Sequence, residues 1–555
     1  MNVGDVIVKT LEKIGVETVF GGSGQSDSDI LLALDESETI ETVIIRHEQA
    51  ASFMACGYGM FSDKLGVCFS TAGPGAFNLF SGLAVAYSDS LPVLSITPYT
   101  AQKYRGKGDL GETTGLNRTP DSKQMFEATT KKSFMVEEPE EICDLLEEAI
   151  NLAYEGRPGP VNLHVDYEIM NQEVPNYREI NLDIEPVLAG EEEIAEFATA
   201  LAEKIEADEK IAAILGYGCV SSHAEEELLK FFEAFQIPFM TTMDAKGILS
   251  EDHPLALGTT GVSGDKGAKK FFKEADTVIA IGNSFAKWSV WQSKEGLFDE
   301  KTLMQINIDP QDIGKVYQPD YALHSDAKPA VKALREAVAE EVEVQEELEL
   351  EKDRFCDEEI EYDGDKIHPG QLSQEISKLL PEDSIILGDA GGHMMWLHSY
   401  LNLNGNQIYQ NPGTFGPMAS NVNASLGIKS ANPDRPVIAC CGDGDYQMSG
   451  FELMTAVENE IPVVWVIFNN GEFNIIKMFQ LRSRDREVFN QISNPDYKSY
   501  AEICGAKGYT VENLADFAPA FKDALVSGRP ALIDVKVDAE VYPPFAPYDE
   551  EGEDE

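Results

Sequence analysis

Residues 437–444 read VIACCGDG, and residues 463–470 read VVWVIFNN. Each is a short apolar run that ends in a polar cluster, Gly442-Asp443-Gly444 in the first and Asn469-Asn470 in the second. Continuous apolar runs of this length, bounded by turn residues, are the pattern of strands buried on both faces of a parallel sheet. Open parallel sheets bind ligands at the carboxyl ends of their strands, where both clusters fall. Glycine on either side of Asp443 lets the backbone approach a ligand while one carboxylate points outward. Asp443, the amide oxygen of Asn470 and a nearby backbone carbonyl form a hard oxygen set suited to Mg²⁺ or Ca²⁺, with diphosphate oxygens completing the shell.

Similar runs recur along the whole chain, separated by stretches of helical period. VETVFGG (16–22), TVIIRHE (42–48), GVCFSTAGPG (66–75) and PVLSIT (92–97) form a first set. KIAAILGYG, IPFMTT, TVIAIG and LMQINIDP form a second, and SIILGDAG, the two opening runs and ALIDVKV a third. This alternation predicts an α/β protein of three domains, each with a mainly parallel sheet flanked by helices. The expected extents are 1–175, 190–338 and 366–545, with an acidic linker at 339–365 and an acidic tail at 546–555.

The 555 residues carry 97 acidic and 43 basic side chains, a formal net charge of -54, with 43% hydrophobic residues. That apolar fraction excludes a disordered chain, and the charge opposes nucleic acid and anionic membrane surfaces as partners. Anionic small molecules must then be held by local chemistry, such as a metal or backbone amides. Eight cysteines without a CxxC pair read as reduced core thiols, without a disulfide framework or zinc site, and no apolar run is long enough to span a bilayer. A cytoplasmic protein is expected.

The GDG cluster, followed after 24 intervening residues by Asn469-Asn470, resembles the signature of thiamine-diphosphate (ThDP) enzymes. RHEQAA (46–51), STAGPGAFN (70–78), GRPGPVNLHV, KGILSEDHPLALG and QINIDPQDIGK extend the resemblance to the acetolactate synthase and pyruvate oxidase group over nearly the whole chain. The resemblance implies a pyrimidine-binding, a central and a diphosphate-binding domain, with ThDP and Mg²⁺ as cofactors. It makes Asp443, Asn470 and the carbonyl of Glu472 the metal ligands. It puts Gly391, Gly392 and His393 of GDAGGHMMW, together with Gly444 and Asp445, beside the phosphates. Glu48 becomes the acid that activates the aminopyrimidine, with Pro74 and Asn78 lining its pocket. Within GTFGPMASNVNASLG (413–427), Met418 becomes the apolar wedge that bends the cofactor, and Gly416 offers its carbonyl to the pyrimidine amino group. Taken alone, Glu48 is an acid at a helix start, His393 a surface or core histidine and Met418 a core residue. Family architecture also implies a homodimer or homotetramer with each site between two subunits.

At several substrate-side positions the chain departs from the acetolactate synthase pattern. Pro98-Tyr99 replaces Gly-Gln, Leu110-Gly111 replaces Phe-Gln, Phe479 replaces a Trp, and Asp445 replaces a hydroxyl residue after GDG. A carboxylate beside a diphosphate is unfavourable unless it is turned away, protonated or paired with a cation. The middle domain reads GNSFAKWSVW in place of the Arg-Phe-Asp-Asp segment associated with flavin, and GYGCVSS lacks a third fingerprint glycine, so FAD is not expected. Candidates near the mouth are His47, Gln49, Tyr99, Arg105, Lys107, His393, Phe479 and Gln480. The resemblance implies a carboligase or lyase acting on a 2-oxo acid or ketone. A non-oxidative decarboxylase or C–C hydrolase, and a ThDP-binding protein without turnover, remain alternatives, and no regulatory subunit can be named.

Overall fold

Eighteen short strands form three parallel six-stranded sheets in the computed structural model, which describes residues 1–291, 295–343 and 345–545. The acidic tail, 546–555, lies outside the described residues. The first sheet contains β1 (Thr18–Gly21), β2 (Glu41–Ile44), β3 (Gly66–Phe69), β4 (Val93–Tyr99), β5 (Lys132–Val136) and β6 (Val161–Asp166). The second contains β7 (Ile211–Leu215), β8 (Phe239–Thr241), β9 (Ala256–Thr259), β10 (Thr277–Ile281), β11 (Thr302–Asn307) and β12 (Tyr321–His324). The third contains β13 (Ile385–Gly388), β14 (Ile408–Gln410), β15 (Val437–Gly442), β16 (Val464–Asn469), β17 (Lys507–Val511) and β18 (Ala531–Lys536). Helices cover the faces, which is why central strands such as β16 are buried along their whole length.

Strand order decides where ligands can sit. The first sheet runs β2-β1-β3-β4-β6-β5 and the third β14-β13-β15-β16-β18-β17, the same topology built twice. In both, the chain leaves the first strand toward one edge and returns on its other side, opening a crevice between the first and third strands at their carboxyl ends. The central sheet runs β12-β11-β10-β7-β8-β9, which puts its crevice between β7 and β10. The helix Ala327–Glu341 that follows this sheet ends just past the expected boundary at 338.

The first and third sheets share one apolar core, knit by two crossing helices, Glu48–Met60 and Ser420–Ala431. They approach so closely that a Cβ on Gly57 would stand 2.2 Å from the carbonyl oxygen of Ala424, and one on Gly427 1.9 Å from that of Met54. All eight cysteines are free, six of them buried, and none of the helices described is long and apolar enough to cross a membrane.

Candidate active site

A cavity of about 500 Å³ opens at the crevice of the third sheet, walled by the loops after β13, β15 and β16. The loop after β13 brings Gly391 and Gly392 to the start of helix Gly392–Tyr400, whose first backbone N–H groups are free to meet an anion. His393 lies in its first turn, and burial drives its pKa down to about 3, so the imidazole is neutral. Beyond β15, Asp443 accepts hydrogen bonds from the backbone N–H of Gly444 (3.1 Å) and Gly471 (2.8 Å) and from the Asn494 amide (2.6 Å). These donors offset the burial that raises its pKa. The Tyr497 hydroxyl donates to the Asp443 carbonyl at 3.2 Å.

Asn470 and Glu472 follow β16 on the same wall. Asn470 Oδ1 accepts from the Glu472 backbone N–H at 3.1 Å, and the Glu472 side chain is taken by Lys477 at 3.1 Å. Gly444 is required by space, since a Cβ there would stand 2.6 Å from the Phe473 ring and 3.2 Å from Met418 Cε. Met418 and Gly416 line the cavity from the loop before helix Ser420–Ala431. Gly416 holds the left-handed conformation, φ 61°.

Asp445 resolves the difficulty its sequence position raises. It is 2% exposed, its Oδ2 accepts from the Gly442 backbone N–H at 2.7 Å, and burial together with the charge of Asp389 pushes its pKa well above the carboxylate range. Among the described residues, Asp445 Oδ1 and His393 Nε2 are buried without a hydrogen-bond partner, and both residues line the cavity. Two orphaned polar atoms on one wall, beside a helix start and the Asp443 carboxylate, fit a ligand bearing phosphate oxygens and a hard cation.

The other half of the expected site lies elsewhere. Glu48 begins the helix Glu48–Met60, but the cap of that helix is His47, which frees the Glu48 carboxylate to accept from the Asn78 amide at 2.9 Å. Pro74 starts the short helix Pro74–Asn78, after Gly73 in the left-handed conformation (φ 71°). Glu48, Pro74 and Asn78 gather at the carboxyl edge of the first sheet, and none of them lines the cavity of the third. Of the mouth candidates, only His393 and Phe479 line it. Arg105 is committed to Glu137 and Asp166 and stacks over Tyr99, while Gln480 latches Val488 and Asn490.

Three residues that sequence reasoning missed hold the site together. Asn494 orients Asp443. Asp389, fully buried after β13, accepts from the backbone N–H groups of Ala419 and Val422, both at 2.9 Å, and so docks helix Ser420–Ala431. Lys477 fixes Glu472 and also pairs with Glu540 at 2.8 Å. Asp389 stands inside the quoted GDAGGH loop, so its position was available; Asn494 lies 51 residues from Asp443 and carries no local signal.

In the central sheet, a smaller cavity of about 250 Å³ occupies the crevice between β7 and β10. Its glycines serve close packing, since a Cβ on Gly216 would lie 2.3 Å from the Gly282 carbonyl oxygen and one on Gly218 2.7 Å from Gly282 Cα.

Comparison with known proteins agrees with this arrangement. Family models match the N-terminal TPP binding domain of thiamine pyrophosphate enzymes over residues 1–125, the central domain over 198–334 and the C-terminal TPP binding domain over 389–535. A probable acetolactate synthase large subunit of Methanocaldococcus jannaschii is 32% identical over 98% of this chain and 93% of its own length. The acetolactate synthase large subunit of Corynebacterium glutamicum is 31% identical over 97% and 87%. The acetolactate synthase isozyme 3 large subunit of Escherichia coli is 29% identical over 97% and 96%. The chain belongs to the thiamine pyrophosphate enzyme family.

Proposed function

We propose that the protein is a ThDP- and Mg²⁺-dependent carboligase or lyase acting on a 2-oxo acid, similar to acetolactate synthase. The observation that carries this reading is the single cavity wall on which Asp443, Asn470 and the unsatisfied atoms of His393 and Asp445 converge. Asp443, Asn470 and the Glu472 carbonyl would hold the metal, and Lys477 keeps the Glu472 side chain occupied so that its backbone oxygen serves. Gly391, Gly392, His393, Gly444 and Asp445 would receive the diphosphate. Met418 and Gly416 would shape and anchor the bent cofactor, Pro74 and Asn78 would flank the pyrimidine, and Glu48 would exchange a proton with it. When bound, ThDP supplies a nucleophilic carbon and an electron sink for breaking bonds next to a carbonyl.

A second copy of the chain is part of this reading, because Glu48 and Asp443 belong to different crevices within one chain. The central domain is read as structural, without bound FAD, which visible flavin absorbance of the pure protein tests. Eight free cysteines favour a reducing compartment such as the cytoplasm. The departures at Leu110-Gly111 and Phe479 support a second reading on the same scaffold, non-oxidative decarboxylation or C–C hydrolysis.

The deciding experiment incubates the protein, with ThDP and Mg²⁺, with a panel of 2-oxo acids and diketones and identifies products. Acetolactate from pyruvate supports ligation, and acetaldehyde supports decarboxylation. Consumption of nothing across the panel leaves a ThDP-binding protein without turnover.

A further inference from the structure

The first sheet holds a second acid that the cofactor reading leaves unused. Asp27 ends the loop that leaves β1 and stands just before the helix Ser28–Asp35. An aspartate at that position ordinarily caps the helix by accepting from its first turn. Asp27 makes no such bond. It turns back, its Oδ1 accepting from the Gly24 backbone N–H at 2.7 Å, while its Oδ2 is buried without a hydrogen-bond partner among the described residues. The whole residue is out of solvent. An unpaired buried carboxyl oxygen opposes folding, and groups of this kind gather where function uses them.

The loop is tied to the far side of the crevice. Ser26 Oγ stands 2.8 Å from the Thr71 hydroxyl and accepts from the Ala72 backbone N–H at 2.9 Å, which joins the loop after β1 to the loop after β3. Glu48 lies between these two loops. A Cβ on Gly75 would stand 3.0 Å from its Oε1 and one on Gly22 3.6 Å, while its Oε2 takes the Asn78 amide. Asp27 is close enough that the charge of Glu48 adds to burial, and together they push its pKa up to about 6. Among the described residues neither carboxyl has an ion-pair partner, and the segments 22–26 and 70–78 contain no titratable side chain. Asp29 and Asp35, on the helix that Asp27 precedes, add only negative charge, and His47 is spent on capping the Glu48 helix. On the helix Val3–Lys13, which packs against Ser28–Asp35, Asp5 is bound to Asn2, Lys9 is exposed and Lys13 pairs with Glu179. Glu112, from the loop against Gly73, is folded onto the backbone N–H groups of Gly106 and Gly108.

We propose that Asp27 and Glu48 form an acid pair holding one proton between them, and that Asp27 is the positioning residue whose charge keeps this proton on Glu48 when a pyrimidine ring lies against it. Two carboxylates in one water-poor crevice repel, so the pair retains a proton at a pH where an isolated acid has lost it. In the free chain the deeper residue, Asp27, carries it. A ring nitrogen that accepts a hydrogen bond from Glu48 moves the balance: the O–H bond of Asp27 breaks, that of Glu48 forms, and the Asp27 carboxylate keeps the Gly24 N–H. No proton is gained or lost overall. The proposal rests on the reading of Glu48 as the activating acid.

The test has one arm without cofactor and one with it, both on the full chain. The folded pKa of Asp27 stands above the ordinary 3.8, so its ionisation opposes the folded state and stability is lost as the pH rises through 6. Without ThDP, Asp27→Asn is therefore expected to raise the Tm at pH 7.5, by an amount that shrinks toward pH 5.5. Part of that gain should vanish in the Glu48→Gln background, since the two charges act on each other. Equal gains in both backgrounds, or a Tm that does not rise, overturn the pairing. With ThDP and Mg²⁺, thiazolium proton exchange is followed by NMR across pH in the wild type, Asp27→Asn and Asp27→Ser, two uncharged side chains of different shape. In both variants the fall of the rate at high pH should begin about one unit lower, making exchange at pH 8 about tenfold slower, with ThDP affinity within a few-fold. A slowing that is the same at every pH, or that follows a loss of ThDP affinity, marks a structural role and overturns the proposal. Failure of the Glu48 reading is told apart by Glu48→Gln exchanging at the wild-type rate, whereas failure of the pairing is read with no cofactor present.

Discussion

Asn78 donates its side-chain amide to the Glu48 carboxylate at 2.9 Å, joining the start of one helix to the end of another across the edge of the first sheet. Among the described residues Glu48 is oriented by a neutral donor and has no ion-pair partner, which leaves its carboxylate free to exchange a proton. Glu48→Gln is expected to slow turnover by about a hundredfold or more while leaving ThDP affinity within a few-fold. Proton exchange at the thiazolium carbon, followed by NMR in the loaded protein, reads the effect directly. Exchange at the wild-type rate would remove Glu48 from its assigned role.

Asn494 donates to Asp443 at 2.6 Å and to the Asn469 amide oxygen at 2.9 Å. Residues that orient a ligand cost about 10–100-fold in metal affinity when removed. Asn494→Ala should therefore weaken Mg²⁺-dependent ThDP binding by that order, measured by titrating Mg²⁺ at fixed ThDP. Unchanged Mg²⁺ dependence would count against Asp443 as a ligand.

Gly427→Ala puts a methyl group 1.9 Å from a backbone oxygen that cannot turn aside. The expected cost is at least about 1–3 kcal/mol, the range for overpacked cores. Thermal unfolding should show a lower Tm. Gly528→Ala is the control for an added methyl, since nothing lies within 4 Å of a Cβ there, although its φ of 62° carries a backbone cost of its own.

His164 is fully buried between the rings of Tyr99 and Phe126, with its Nδ1 at 2.7 Å from the Thr97 hydroxyl. Burial lowers its pKa to about 3, so the unfolded chain binds a proton that the folded chain refuses. Stability is therefore unaffected above the unfolded value of about 6.5 and falls as the pH drops from there toward 3, by up to about 1.4 kcal/mol per unit. His164→Gln should flatten the difference between denaturation midpoints at pH 7 and pH 5. An unaltered difference would show that other groups carry the acid sensitivity.

Salt should act on the whole surface. Screening of a net charge of -54 is expected to strengthen ThDP binding and subunit assembly as ionic strength rises. Equilibrium dialysis and sedimentation across a salt series would reveal the opposite trend if specific ion pairs dominate.

The parts of this molecule legible in its sequence are those written locally. β15 and β16 announce themselves by short buried runs stopped by Gly442-Asp443-Gly444 and Asn469-Asn470, and the same rule locates four of the six strands in each sheet, missing β6 and the edge strands β5, β9, β12, β14 and β17. Asn494 escaped detection because it acts across distance: it stands in a polar stretch that looks like ordinary surface, and only the folded chain brings it to Asp443. Lys477 lies five residues after Glu472 between apolar helix neighbours, where nothing local marks the pairing. Gly57 and Gly427 carry no such local signal, because the space they leave is filled only by the partner helix. Within one chain, His47, Arg105 and Gln480 also serve as a cap, an ion-pair partner and a loop latch.

The helix Ser420–Ala431 is tethered at one end by Asp389, beside the diphosphate wall, and crosses the helix of Glu48 through Gly427 and Gly57. Glu452 then accepts the backbone N–H groups of Arg46 (3.0 Å) and His47 (3.1 Å), immediately before Glu48. Glu48 is therefore surveyed from its own chain's third sheet, as a lever is from its fulcrum. The diphosphate wall and the acid of the first sheet are therefore fixed to one stiff frame within the chain.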